Sequence, residues 1–580
     1  MDDTSIEDAA IEDSVYTAAD ALNDALVKAG VTHVFLNSGT DYPPIIETWA
    51  KCEALGRPKP EIIISPHEYA AISAAQGFAQ ATGRMQAVFV HVDVGTQNLG
   101  GAIHNAFRCR TPVFILAGLS PYTIEGELKG GRDSPIQFVQ NAADQAGIVR
   151  GYTKLNLELK SGKNAQQMVY RAVQVANSEP KGPVYMMASR EPLEEEGVEI
   201  NADLAQWGPI APMAMDDASL ELIAGALAKA KNPMIITAYL GRNENAVGEL
   251  SRLCERLAIP VIENYMTPHL NLPGDHPCHF GNAAPPLLKE ADVVLAIDCD
   301  LPWVPAMAKP RDGCRVFYLD VDPLKEDIPI WYIPAERMIR VDSYTALKQL
   351  NARFDTNAEL LDMGIITARR EMLAEKKAAA AGQRAIAEKQ QDVMTPAFVS
   401  ACVREIVDDD TIILNETISS GGAVSGHIPR VKPGTLFGSG GSSLGWACGA
   451  AFGVKLARPE SDVIALVGDG TYVFSIPTAV YWMSRRYNAP FMTVIFNNQG
   501  WNAPKQITAS HHPDGYAVKG NKFWNSFDPP ARLDLIAEAA GGAFARTVEK
   551  PEDLRAVLQE ARAAIKSGTS AVVNVILPAV

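Results

Sequence analysis

The sequence predicts an α/β protein built from three doubly wound parallel-sheet domains in series. Three observations carry this expectation. Short, almost purely apolar runs recur along the chain, each separated from the next by a stretch of helical periodicity. Such runs are strands buried on both faces, as in a parallel sheet covered by helices. The 580 residues exceed what one hydrophobic core supports. A charged, alanine-rich stretch, Ala368 to Gln391, has few large apolar residues and reads as a solvated helical connector.

Taken in order, the first block spans residues 12–195. Its strands are expected at Val31–Leu36, Glu61–Ile64, Ala87–His91, Pro112–Ala117 and Pro183–Met187, with a helix from Tyr69 to Thr82. The second block, 210–355, repeats the style at Pro233–Thr237, Pro260–Ile262, Val293–Ile297 and Arg315–Leu319. In the third, 395–580, strands are expected at Val463–Val467, Phe491–Phe496 and Ala571–Ile576, with a helix from Ser475 to Tyr487. No internal sequence repeat is evident.

Composition narrows the function classes. An apolar fraction of 47% and a charged fraction of 21% are those of a globular protein. The formal net charge of −16, unrelieved by any Lys/Arg cluster, argues against nucleic acid as partner. No apolar run approaches a membrane span, so no membrane partner is expected. The acidic start, Met1 to Asp8, has neither the apolar core of a secretory leader nor the basic character of a transit peptide. Eight scattered cysteines without a Cys-x-x-Cys pair suit reduced thiols in a cytoplasmic enzyme.

The chemistry concentrates at Gly468-Asp469-Gly470 and, further on, Asn497-Asn498. Each follows an expected buried strand. Neighbouring parallel strands would bring Asp469 and Asn498 to one carboxyl edge, where open α/β sheets hold ligands. A carboxylate and an amide oxygen there are hard ligands for Mg²⁺ or Ca²⁺, and Mg²⁺ is usually completed by water and substrate phosphates. The glycines permit close backbone approach, and the N–H groups at the following helix start, around Thr471, can receive a diphosphate.

This arrangement resembles the diphosphate-binding motif of thiamine-diphosphate (ThDP) enzymes of the acetolactate synthase and benzoylformate decarboxylase type. The resemblance runs from about residue 15 to the C-terminus. It implies pyrimidine-binding, central and diphosphate-binding domains, and Mg²⁺ held by Asp469, Asn498 and Gly500. Ser65-Pro-His-Glu68 opens a helix, and Glu68 matches the family's cofactor-activating glutamate. A carboxylate hydrogen-bonded to N1′ of the aminopyrimidine favours the imino tautomer that removes the C2 proton, while the cofactor acts as electron sink. The segment Gly95-Thr96-Gln97-Asn98 is similar to the family's glycine-rich turn beside the reacting end of the cofactor. The loop Gly438 to Trp446, with Ser442, precedes the first long helix of the diphosphate domain, and Leu444 aligns with the apolar residue that props the cofactor into its bent form. Asn415-Glu416-Thr417 resembles a segment that contacts cofactor and substrate.

For the substrate, the resemblance offers Thr40, in Asn37-Ser38-Gly39-Thr40, as a hydroxyl, and His91 as a proton-transfer group whose near-neutral pKa suits the task. His67 is a further candidate, with a helix-cap role as its alternative. No carboxylate follows the paired asparagines in Gln499 to Gln506, which disfavours a simple pyruvate decarboxylase. The central block lacks a Gly-x-Gly-x-x-Gly run, so FAD is not expected. Trp501, Trp524 and His511-His512 either shape a pocket for a bulky substrate or cover surface. The expected activity is ThDP- and Mg²⁺-dependent making or breaking of a carbon–carbon bond in a 2-oxo acid or 2-hydroxy ketone/acyl substrate. Two alternatives stand beside it: a true acetolactate synthase with FAD and a regulatory subunit, and a non-catalytic ThDP-binding paralogue. The family plan also implies a homodimer or homotetramer with active sites at the subunit interface.

Overall fold

The computed structural model describes residues 15–263, 267–281 and 284–580. The acidic start and the first residues of the first block lie outside them. Three parallel sheets account for the architecture. The first holds β1 (His33–Asn37), β2 (Glu61–Ile64), β3 (Gln86–Val90), β4 (Val113–Gly118), β5 (Leu155–Leu159) and β6 (Val184–Ala188). The second holds β7 (Pro233–Thr237), β8 (Val261–Glu263), β9 (Val293–Ile297), β10 (Arg315–Asp320) and β11 (Arg337–Arg340). The third holds β12 (Ile412–Glu416), β13 (Leu436–Phe437), β14 (Val463–Gly468), β15 (Met492–Asn497), β16 (Phe544–Val548) and β17 (Ala571–Ile576).

The spatial order of the first sheet is β2-β1-β3-β4-β6-β5, and that of the third is β13-β12-β14-β15-β17-β16. Counted within each domain, the two orders are identical. The outer domains thus repeat one topology that their sequences do not betray. In all three sheets the strand order switches sides after the first pair, between β1 and β3, between β7 and β9, and between β12 and β14. Crevices form outside the carboxyl ends of the strands at such points.

The outer domains are joined through the helices Glu68–Thr82 and Trp446–Ala457, whose alanines and glycines share one core. Their backbones approach closely. A Cβ on Gly77 would stand 2.3 Å from the Ala450 carbonyl oxygen, and one on Gly453 only 1.9 Å from that of Ala74. Small residues at these crossings bring the start of the first helix, at Glu68, beside the loop that feeds the second.

The expected helix Ser475–Tyr487 is present as Pro477–Arg486, preceded by a separate short helix, Asp469–Phe474, with Ile476 at φ 52° between them. Pro477 lacks the N–H an uninterrupted helix needs, and is suited instead to a first turn. The connector forms helix Met363–Ala387, but its first half is docked and not merely solvated. Arg369 is buried there and donates to the carbonyl oxygens of Leu257, Leu227 and Ala228. Among the described residues no helix is long and apolar enough to cross a membrane.

Candidate active site

Strand β14 pairs in parallel with β15, Gly468 opposite Phe496, so Asp469 and Asn498 leave adjacent strands at the same edge. Asp469 is buried, and its two carboxylate oxygens each accept a backbone N–H at 2.8 Å, from Gly470 and from Gly500. Burial pushes its carboxyl above the usual range, opposed by the N–H groups of Gly470, Gly500 and Gln499. Asn497 is turned inward, where it donates to Asn574 at 3.0 Å. Asn498 makes no side-chain hydrogen bond among the described residues, and only its carbonyl is used, by the N–H of Val580. Gln499 sits at φ 59°, which turns the chain so that the Gly500 N–H reaches Asp469. A Cβ on Gly470 would stand 2.8 Å from the Trp501 indole nitrogen, so the cradle at the helix start is narrow.

The donor set fits the group that the sequence implies. A buried carboxylate and an unpartnered amide, beside a turn at Gly500, are oxygen donors suited to Mg²⁺ with phosphate oxygens completing its shell. Thr471 follows within the same helical turn and is buried.

Across the switch point, Glu416 ends β12. Its carboxylate accepts the N–H groups of Gly445 (3.1 Å), Trp446 (3.3 Å) and Ala447 (2.8 Å). Burial pushes its carboxyl up to about 8, against the pull of those three donors. The Glu416 side chain caps helix Trp446–Ala457, whose first N–H groups would otherwise be orphaned. Among the described residues the Asn415 amide nitrogen makes no hydrogen bond, while its oxygen accepts from the Thr417 hydroxyl at 2.8 Å. A cavity of about 800 Å³ opens against this edge, lined by Asn415, Glu416, Thr417 and Gly438 and by Lys377 and Arg384 of the connector helix.

The glycine-rich loop before helix Trp446–Ala457 lies on the first domain. Asn105 donates to the Ser443 carbonyl at 2.8 Å, Gln76 to that of Ser439 at 3.0 Å, and the Tyr69 hydroxyl to that of Leu444. Ser442 is exposed, and Leu444 is half-buried.

Glu68 is the first residue of its helix and is 6% exposed. Among the described residues its carboxylate accepts no hydrogen bond. Its nearest cation-capable neighbour is His67, with Nδ1 3.9 Å away. That nitrogen already accepts from the Tyr69 N–H at 3.1 Å, so His67 is the helix cap. A Cβ on Gly95 would stand 3.2 Å from a Glu68 carboxylate oxygen, which places Gly95 directly against it. The expected glycine-rich turn is in fact helical, Val92–Asn98 followed by Gly100–Arg108. This bears on Thr96: fully buried, its hydroxyl is shared between the Val92 carbonyl (2.7 Å) and the Tyr185 hydroxyl (2.8 Å). Asn98, at the helix end, is exposed.

At the switch point of the first sheet, His91 follows β3 and meets Asp41, which follows β1. The pair is missing from the sequence-based reading. Nδ1 of His91 lies 2.6 Å from an Asp41 oxygen, and Nε2 lies 3.0 Å from Gln140. The bond to Asp41 raises the His91 imidazole above its usual value, against the opposing effect of burial. Thr40, one residue before Asp41, is exposed at the same edge. Trp501 packs edge-on against Phe527, and Trp524 and His511-His512 are exposed.

The corresponding crevice of the central sheet is filled. Arg110, from the first domain, reaches Asp298 (3.2 Å), Asp300 (2.8 Å) and Asp320 (3.0 Å), with its guanidinium 4.5 Å from the Tyr239 ring centre. Arg242 and Lys325 complete the cluster.

Three sequence families match in order along the chain: the N-terminal TPP-binding domain of thiamine pyrophosphate enzymes over residues 16–148, their central domain over 220–349, and their C-terminal TPP-binding domain over 419–575. Acetolactate synthase of Bacillus subtilis is 25% identical over 93% of this chain and 90% of its own length. Benzoylformate decarboxylase of Pseudomonas aeruginosa is 25% identical over 94% and 97%. The structure of a thiamine diphosphate-dependent 4-hydroxybenzoylformate decarboxylase from Rhodococcus jostii superposes with a TM-score of 0.78 at 20% identity, covering 97% of this chain and 99% of that one. With matched domains in this order and the Asp469–Asn498 edge intact, the chain belongs to the ThDP-dependent enzymes, in the family of acetolactate synthase and benzoylformate decarboxylase.

Proposed function

We propose that this protein is a Mg²⁺- and ThDP-dependent enzyme that cleaves or forms a carbon–carbon bond beside the carbonyl of a 2-oxo acid or a 2-hydroxy ketone/acyl substrate. The observation that carries the reading is the buried Glu68 carboxylate, which has no hydrogen-bond partner among the described residues and faces Gly95. The N1′ nitrogen of an aminopyrimidine would supply that carboxylate with a partner that shares its proton. Asp469, Asn498 and the backbone of Gly500 would hold Mg²⁺ against the diphosphate, and the N–H of Thr471 at the helix start would face it.

When bound, ThDP supplies the nucleophilic carbon and the electron sink. The protein's own groups do the rest. Glu68 takes and returns a proton at its carboxylate oxygens. His91 holds a proton at Nε2, within the range a raised imidazole keeps near neutral pH. Thr40 offers an exposed hydroxyl to the substrate's carboxylate or carbonyl oxygen. The exposed apolar residues Val473, Phe474 and Trp501 sit around the diphosphate edge, which supports a second subunit closing the site. The proposed assembly is a homodimer or homotetramer, with Glu68 and Asp469 of each site drawn from different chains. Eight unpaired cysteines support a cytoplasmic setting. The Arg110 cluster in the central crevice favours the flavin-free reading over a FAD-bearing acetolactate synthase.

The test is a screen of 2-oxo acids and acyloins with added ThDP and Mg²⁺, read as aldehyde or acyloin release. Turnover abolished in Glu68→Ala is the expected result. Turnover of none of these classes, despite ThDP binding, would instead favour the non-catalytic paralogue.

A further inference from the structure

We propose that Asp41 is a positioning residue that holds the His91 imidazole by Nδ1, so that Nε2 is the nitrogen turned to substrate and Gln140 keeps its place until substrate arrives. The inference rests on the reading of His91 as the proton-carrying group.

Asp41 and His91 come from the two strands that flank the switch point of the first sheet, β1 and β3, which pair in parallel. The turn carrying Asp41 is anchored next door. Tyr42 is buried, and its hydroxyl donates to the carbonyl oxygens of Val90 (2.8 Å) and Leu116 (3.1 Å), tying the turn to the ends of β3 and β4. The space around the pair is shaped by absent side chains. A Cβ on Gly39 would stand 2.0 Å from His91 Nδ1, and a Cβ on Gly118 would stand 1.6 Å from an Asp41 oxygen. Any residue but glycine at either position would displace the ring or the carboxylate.

The other ring nitrogen meets Gln140, just past the short helix Ile136–Val139. Phe138 and Val139 beside it are 54% and 80% exposed. Two acids and one amide face the ring: Asp41 from the turn after β1, Asp93 from helix Val92–Asn98, and Gln140. With Nδ1–H donated to Asp41, the second proton resides on Nε2. In the reaction His91 gives that proton to a substrate-derived atom and becomes neutral, still bonded to Asp41, and water restores the proton. Asp41 accepts a hydrogen bond throughout and takes no proton itself.

The prediction concerns Asp41→Asn, which keeps the shape and removes the charge. It should lower the titration midpoint of His91, shift the alkaline limb of the kcat profile to lower pH and reduce kcat by up to about 100-fold. Asp41→Glu should keep the midpoint raised. Titration is followed by NMR of ¹⁵N-histidine-labelled protein without added cofactor, with His91 assigned by its loss in His91→Gln. The kcat profile is taken with saturating ThDP and Mg²⁺. A His91 midpoint identical in wild type and Asp41→Asn would overturn the proposal. A midpoint that moves while the kcat limb stays would leave the pair intact but remove His91 from the proton transfer, overturning the positioning role together with the reading it rests on. Both shifts together, with the midpoint retained in Asp41→Glu, support it.

Discussion

The Asp469 carboxylate, at the end of β14, accepts the N–H of Gly500 at 2.8 Å from the turn after β15. This bond ties two strand ends together and fixes the carboxylate before any ligand arrives. Each carboxylate oxygen retains a lone pair beyond the one its N–H donor uses, so the same bonds that orient Asp469 leave it able to ligate.

Asp469→Ala should therefore lose both the anchor and the metal ligand. ThDP affinity is expected to fall by roughly 30- to 150-fold, on a loss of about 2–3 kcal/mol for a hydrogen-bonded charge, and its Mg²⁺ dependence should vanish. Calorimetry with and without Mg²⁺ reads both. Because burial raises the Asp469 carboxyl, metal competes with a proton there. Affinity should be constant above that raised pKa and weaken as pH falls through it, with proton uptake by the metal-free protein.

A shared site has a consequence that a single-chain site lacks. Glu68→Ala and Asp469→Ala should each be inactive as homo-oligomers. In a hybrid of the two, one site collects both lesions and the other neither, so activity should return to about half of wild type for independent sites. A doubly tagged hybrid, isolated intact, provides the measurement; a hybrid as inactive as its parents rules out sites built from two chains.

The Asp41–His91 pair makes stability depend on pH. The folded-state pKa of His91 is raised above its unfolded value of about 6.5. Its contribution is then fully present below that value and lost as pH rises through the folded pKa. The difference in apparent Tm between wild type and Asp41→Asn should be largest near pH 6 and shrink toward pH 9. A difference that grows with pH contradicts the pairing.

Arg110 joins two domains through buried carboxylates. Asp298 and Asp320 are fully buried, so Arg110→Ala leaves their charges short of a partner, at a cost of about 3–5 kcal/mol. The urea midpoint should drop, and adding Asp320→Asn should restore part of it in a double-mutant cycle. The purified wild-type protein should show no flavin absorbance.

Much of this protein was readable in its residues. The buried interior strands announce themselves: Ala87–His91, Val293–Ile297, Val463–Val467 and Ala571–Ile576 each match a strand to within a residue, because a strand covered on both faces can carry little but apolar side chains. Several strands that escaped notice lie at sheet edges, namely β5, β11, β13 and β16. There one side is free, and residues such as Asn156, Glu158 and Arg546 break the apolar run. The Asp469–Asn498 edge followed from motif spacing alone, since both residues sit directly after strands that happen to be neighbours. Contacts between residues far apart in the chain were decided only by folding. Asp41 meets His91 because a parallel sheet sets β1 beside β3, and nothing local in either segment requires it. Thr96 meets the Tyr185 hydroxyl, and Glu416 the start of helix Trp446–Ala457, through packing of the same kind. Sequence determined which residues could do chemistry; the packing of strands and helices decided which of them meet.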